Sequence, residues 1–82
     1  MVRVDFHKNF QEIFYKIKDE LFRTKVQKQI KKIIENPEVG KPMMHTRKGT
    51  REVYIKPFRL SYAYLKNENA ITFLDLYHKK KQ

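Results

Sequence analysis

The sequence has no cysteine and no tryptophan, only two glycines in 82 residues, and few acids, with nine Asp and Glu against nineteen Lys and Arg. Each shortage excludes something. Without cysteine there is no disulfide framework, no thiolate metal site and no cysteine nucleophile, which suits a reducing compartment. Two glycines do not build a glycine-rich phosphate loop. No apolar run approaches the roughly 18 residues that cross a bilayer, and Met1-Val2-Arg3-Val4-Asp5 does not read as a signal peptide. A cytoplasmic protein that makes no membrane contact is therefore expected. His7, His45 and His78 lack metal-ligand spacing, so neither a metal nor another cofactor is expected. The single carboxylates Glu52 and Asp75 make no obvious acid–base pair.

What is present is positive charge. The chain carries a formal +10. Residues 1–40 hold nine basic and six acidic side chains, and residues 41–82 hold ten and three, so most of the excess lies in the second half. A basic domain binds polyanions by releasing their counterions, which makes nucleic acid the default partner. The length fits a single domain covering residues 1–82, with little stability to spare.

Periodicity gives the elements. Val2 to Phe6 alternates as a half-buried strand does. Phe10, Ile13, Phe14 and Ile17 then fall on one face of a helix. Asp19 is placed as the N-cap of a second helix, in which Phe22, Val26, Ile30, Ile33 and Ile34 keep helical spacing until Asn36-Pro37 stops it. Beyond Gly40 the period becomes two. Lys41 to Arg47 reads as a short edge strand, Lys48-Gly49 as a turn, and Arg51 to Lys56 as a strand interrupted by Pro57. Phe58 to Leu65 places Phe58, Leu60, Tyr62 and Tyr64 on one face and Arg59, Ser61, Ala63 and Leu65 on the other. Lys66 to Asn69 has hairpin-turn chemistry. Ala70 to Tyr77, apolar on both faces, reads as an interior strand. The order β-α-α-β-β-β predicts an α+β fold, with a helical hairpin on one face of a mainly antiparallel sheet and the other face open.

On that open face the sequence puts Arg59, with small neighbours Ser61 and Ala63 that leave room for a phosphate in the guanidinium fork. An ion pair with Glu52 or Asp75 across the sheet is the structural alternative. As an exposed side chain, Arg59 would add little to stability, and Arg59→Ala is expected to leave stability nearly unchanged. Arg51 is a second candidate, on a face that the pattern near Pro57 leaves open. The run Tyr77-His78-Lys79-Lys80-Lys81 reads either as a corner able to move protons or as a solvated basic tail. Strand parity groups Asp75, Tyr77 and Lys79 with Arg59 and puts His78 on the other side. The remaining cations Arg47, Lys48, Lys56 and Lys80 are candidate nucleic-acid contacts.

Three stretches look familiar together. "IIENPEVGKPM", "TREVYIKPFRLSYAY" and "ITFLDLYHKKKQ", in this order and spacing, resemble the RelE/ParE superfamily of type II toxins, including its RelE/HigB-like branch, across nearly the whole chain. The resemblance implies a metal-independent mRNA endoribonuclease acting on ribosome-bound mRNA, with attack by the RNA 2′-hydroxyl on the adjacent phosphate. It assigns Arg59 to the scissile phosphate, sets Arg51 near an upstream basic position, and gives Lys79 or His78 the last-strand basic role, with Tyr77 in place of an absent C-terminal tyrosine. Tyr54 stands where many members carry a second cation. The implied partners are an acidic RelB-like antitoxin, mRNA and the ribosome, with operator DNA reached only through the antitoxin. A ParE-like inhibitor of DNA gyrase and a non-catalytic basic RNA-binding domain are the alternatives.

Overall fold

Short polar caps punctuate the first half of the chain. In this computed structural model, which describes residues 2–43 and 49–78, β1 (Arg3–Phe6) runs into α1 (Lys8–Lys16). The His7 ring nitrogen Nδ1 accepts from the Asn9 N–H at 3.0 Å and so caps the first turn of α1. Asp19 caps α2 (Glu20–Glu35), its Oδ1 accepting from the N–H groups of Leu21 at 3.0 Å and Phe22 at 3.3 Å. These contacts satisfy donors that a helix N-terminus otherwise leaves to water. The second half is β2 (Lys41–Pro42), β3 (Thr50–Ile55), β4 (Phe58–Leu65), a 3-10 turn at Lys66–Glu68, and β5 (Ala70–His78). Asn69 closes that turn in the left-handed region at φ 50°.

The sheet order is β1-β5-β4-β3-β2, with β1 and β5 parallel and every other pair antiparallel. Both helices cover one face. Ile55, Leu60, Tyr62, Ile71, Phe73 and Leu76 meet Phe10, Val26 and Ile33 there. The expected architecture is the one found, with the two-residue β2 as the edge beside β3. Of the segment expected as an edge strand over 41–47, Lys41 and Pro42 pair with Glu52 and Arg51, and residues 44–47 lie outside the described part. Interior β5 carries a bulge, since Ser61 pairs with Asp75 but Tyr62 pairs with Phe73, leaving Leu74 as the extra residue. Ile71 and Phe73 therefore face the helices before the bulge and Leu76 after it.

One contact fixes how α2 hands the chain to the sheet. The Tyr62 hydroxyl donates to the Pro37 carbonyl at 2.8 Å and accepts from the Gly40 N–H at 2.9 Å. Burial pushes the Tyr62 pKa up, against the opposing influence of the Gly40 N–H and Arg51, so the phenol keeps the proton it donates. Gly40 is needed because an added Cβ would sit 2.6 Å from the Tyr62 hydroxyl oxygen and 2.8 Å from its ring. Gly40→Ala is expected to cost about 1–3 kcal/mol through overpacking. Denaturant unfolding checks this, and an unchanged midpoint would mean that the 36–40 connection moves freely away from Tyr62.

Candidate functional site

Alternation along β3 and β4, with the register of their hairpin, decides which side chains share the open face. Tyr54 is the cross-strand partner of Arg59, Glu52 of Ser61 and Thr50 of Ala63. On the far side of β4, Arg59 faces Tyr77 and Ser61 faces Asp75. At the centre lies a carboxylate out of water, as Glu52 is only 6% exposed. Arg59 Nη1 donates to Glu52 Oε1 at 3.3 Å, and the Tyr77 hydroxyl donates to Glu52 Oε2. The Arg59 side chain is 31% exposed, and its Nε is buried with no hydrogen-bond partner among the described residues. Lys41 pairs with Glu52 from β2. Lys41, Met43, Glu52, Tyr54 and Arg59 wall a cavity of about 260 Å³.

A buried carboxylate survives only when charge and donors compensate it. Here a guanidinium and a phenol do so, and the same arrangement holds all three groups in fixed geometry. Arg59 keeps one donor, the buried Nε, with no acceptor among the described residues, on a side chain still partly open to water. Such a donor suits an incoming anion, because a planar guanidinium binds phosphate through more than one N–H. Among the described residues no three His, Asp or Glu side chains cluster so as to hold a metal ion.

Other candidates are placed elsewhere. Arg51 belongs to the opposite face, paired with Tyr62 and turned to the α2–β2 connection. Its Nη1 donates to the carbonyls of Glu38 at 2.9 Å and Gly40 at 2.8 Å, and its Nη2 lies 3.8 Å from the Glu38 carboxylate. The structure thus separates Arg51 from Arg59. His78 is also turned away from Arg59, as the cross-strand partner of Phe58. The Phe58 ring sits between His78, at 5.4 Å, and Phe22 of α2, at 5.0 Å. Lys56 is exposed in the β3–β4 turn and lines a groove with Lys18, Asp19 and Lys25 on the α2 side. Arg47, Lys48, Lys79 and Lys80 lie outside the described residues.

This frame has relatives. The sequence profile of the family described as "ParE toxin of type II toxin-antitoxin system, parDE" matches residues 4–82. The chain belongs to this family. It is a toxin of the RelE/ParE superfamily of type II toxin–antitoxin systems. Comparison with curated protein sequences gives no match. Among solved structures, the toxin fold is similar to the isolated E. coli RelE toxin, with 14% identity, 100% of this chain and 88% of that one covered, and a TM-score of 0.79. It is also similar to the RelBE2 toxin–antitoxin complex from Mycobacterium tuberculosis (20% identity, 95% and 98% covered, TM-score 0.79). A YoeB/ParE toxin from Agrobacterium tumefaciens matches at 11% identity, 94% and 98% coverage and a TM-score of 0.82. At these identities the likeness is one of fold.

Three groups at the toxin's site go beyond the sequence-level candidates: Glu52, Lys41 and Tyr54. The signal for Glu52 was present. Period-two alternation puts Glu52 and Tyr54 in one phase, and a hairpin about Lys56-Pro57 makes Glu52 the diagonal neighbour of Arg59. The ion-pair alternative for Arg59 contained the contact, and the structure adds Tyr77 as the second donor to the same carboxylate.

Proposed function

We propose that this toxin is a metal-independent endoribonuclease that cuts ribosome-bound mRNA. The observation that carries the reading is the buried Glu52 carboxylate held between Arg59 and Tyr77 on the open face, beside an Arg59 Nε that has no acceptor among the described residues. A phosphodiester entering this site takes donors from Arg59, and its pentacoordinate transition state, richer in negative charge, takes them more strongly. Glu52, released in part from the guanidinium, accepts the proton of the adjacent 2′-hydroxyl. The 2′ oxygen then bonds to phosphorus, the bond from phosphorus to the 5′ oxygen breaks, and the products are a 2′,3′-cyclic phosphate and a 5′-hydroxyl. Tyr77 supplies the proton that the departing oxygen takes, a role supported by its hydroxyl bonding to the same Glu52 carboxylate. Lys79, which follows in the chain, adds charge. His78 is assigned a supporting role through its packing on Phe58 rather than proton transfer, because it is turned from Arg59.

The partner that holds such a toxin in check is an acidic antitoxin of the RelB type, with operator DNA contacted only through it. Net charge of +10 favours an acidic chain. An apolar groove of about 440 Å³ between β1 and the helices, lined by Phe6, Phe10, Phe14, Tyr15 and Ile30, suits an amphipathic segment of it.

A second reading, inhibition of DNA gyrase, is favoured by the ParE description of the matching family. One experiment separates them. Brief expression of the chain followed by mapping of mRNA 5′ ends is expected to reveal new ends bearing 5′-hydroxyls. Inhibited supercoiling with no new RNA ends would favour the gyrase reading instead. RNA binding without either effect would mark a non-catalytic basic domain.

A further inference from the structure

A large aromatic left open to water on a sheet face, between cations, calls for explanation. Tyr54 is 53% exposed and stands directly across from Arg59 on β4. It is not part of the core cluster, which on β3 takes Ile55 and Val53. It walls the cavity of about 260 Å³ together with Lys41, Glu52 and Arg59. The cavity thus presents an aromatic ring, two cations and a carboxylate within one pair of strands and a β2 edge.

We propose that Tyr54 is a stacking platform for the nucleobase next to the phosphate that Arg59 binds, with Lys41 contacting the neighbouring phosphate. The inference rests on the RNA-cutting reading above and adds to it a base-binding subsite. Its ligand class is single-stranded RNA with one base unstacked from its neighbours. An aromatic face beside a basic groove is how single strands are held without reading their sequence, since every base has a π-face. Stacking here also has a positional effect. A base held on Tyr54 fixes the ribose between it and the phosphate, and that ribose carries the 2′-hydroxyl that must meet Glu52. Lys41 suits the outer phosphate because its flexible stem places a point charge without demanding a fixed geometry. The subsite therefore accepts any of the four bases and rejects a duplex, whose bases are paired and stacked.

The absence of tryptophan from the chain supplies the probe. In the Tyr54→Trp protein the indole is unique, and its fluorescence is titrated with a short 2′-O-methyl RNA, which cannot be cut, and with an abasic strand of the same length. The base-bearing strand is expected to quench the indole and to bind about tenfold or more tightly than the abasic one. Tyr54→Ala should erase that preference, and Tyr54→Phe, which keeps the ring and loses the hydroxyl, should retain it. Equal binding of the two strands by the parent protein overturns the subsite, as does a preference that survives in Tyr54→Ala. Should the parent cut RNA yet show no preference, only the stacking inference fails. Should neither strand bind and no RNA be cut, the ribonuclease reading fails with it.

Discussion

Arg59→Ala is expected to slow RNA cleavage by on the order of 10²–10³-fold, the usual loss when one charge-stabilising donor is taken from a transition state. It is also expected to destabilise the fold. The sequence alone suggests a nearly neutral effect on stability, because an arginine on an open sheet face reads as exposed. The structure corrects that expectation. Arg59 is mostly covered and compensates a carboxylate that is almost fully buried. Breaking a buried pair by removing one partner typically costs about 3–5 kcal/mol. Here Tyr77 still donates to Glu52, and water reaches part of the guanidinium, so about 1–3 kcal/mol is the expected cost. The double variant Arg59→Ala/Glu52→Gln separates the two effects. It should recover much of the lost stability, because the amide carries no charge to compensate, while cleavage stays lost. Denaturant unfolding and a cleavage assay on the same preparations check both halves. An Arg59→Ala protein that cuts RNA at the parental rate would remove Arg59 from the mechanism.

One residue further along the strand, the opposite balance holds. Leu60→Ala is expected to cost on the order of 2–5 kcal/mol, because Leu60 is 0% exposed and the vacated volume lies between the sheet and the helices. Domains of this size have only about 5–10 kcal/mol in total, so a large share of their stability is at stake. Its effect on cleavage by the fraction that remains folded should be small, since the side chain points away from Glu52 and Tyr77. Cleavage measured well below the variant's unfolding temperature checks this. A strong loss of activity in fully folded Leu60→Ala protein would show that the packing beneath β4 sets the Arg59 geometry more tightly than proposed. Adjacent residues thus sort into function and stability by the two-residue period of a strand.

That period is also what made most of the fold legible. The alternation of Phe58 to Leu65 predicts the inward face that Leu60 and Tyr62 occupy, and the spacing of Phe10, Val26 and Ile33 predicts the helix faces that meet them. Asp19 before an apolar-periodic run is the N-cap of α2. The site was harder to read for a different reason. Its central contact depends on the register between strands, and one residue of slip moves every side chain to the other face. Arg51 shows this. By composition it resembles Arg59, yet its phase on β3 sends it to the carbonyls of Glu38 and Gly40. The bulge at Leu74 was not legible at all, because Leu74 and Asp75 present an apolar–polar pair that fits an unbroken strand equally well. The central place of Glu52 depends on that same register, which sets both Arg59 and Tyr77 against its carboxylate.

The sheet order has a further consequence for how the site comes together. Arg59, Glu52 and Tyr77 all lie on β3, β4 and β5, which are joined consecutively by tight turns. By contrast, β1 pairs in parallel with β5, so that Arg3 must find Ala70 across most of the chain. Closing that long loop costs roughly 1–2 kcal/mol more entropy than closing a hairpin. The β3-β4-β5 meander that carries the candidate site therefore belongs to the local, fast-forming part of the topology, and β1 with its long-range contact belongs to the slow part. In this chain the Arg59–Glu52–Tyr77 geometry is a product of nearest-neighbour pairing, and what the distant N-terminal strand contributes is closure of the sheet over Ile71 and Phe73.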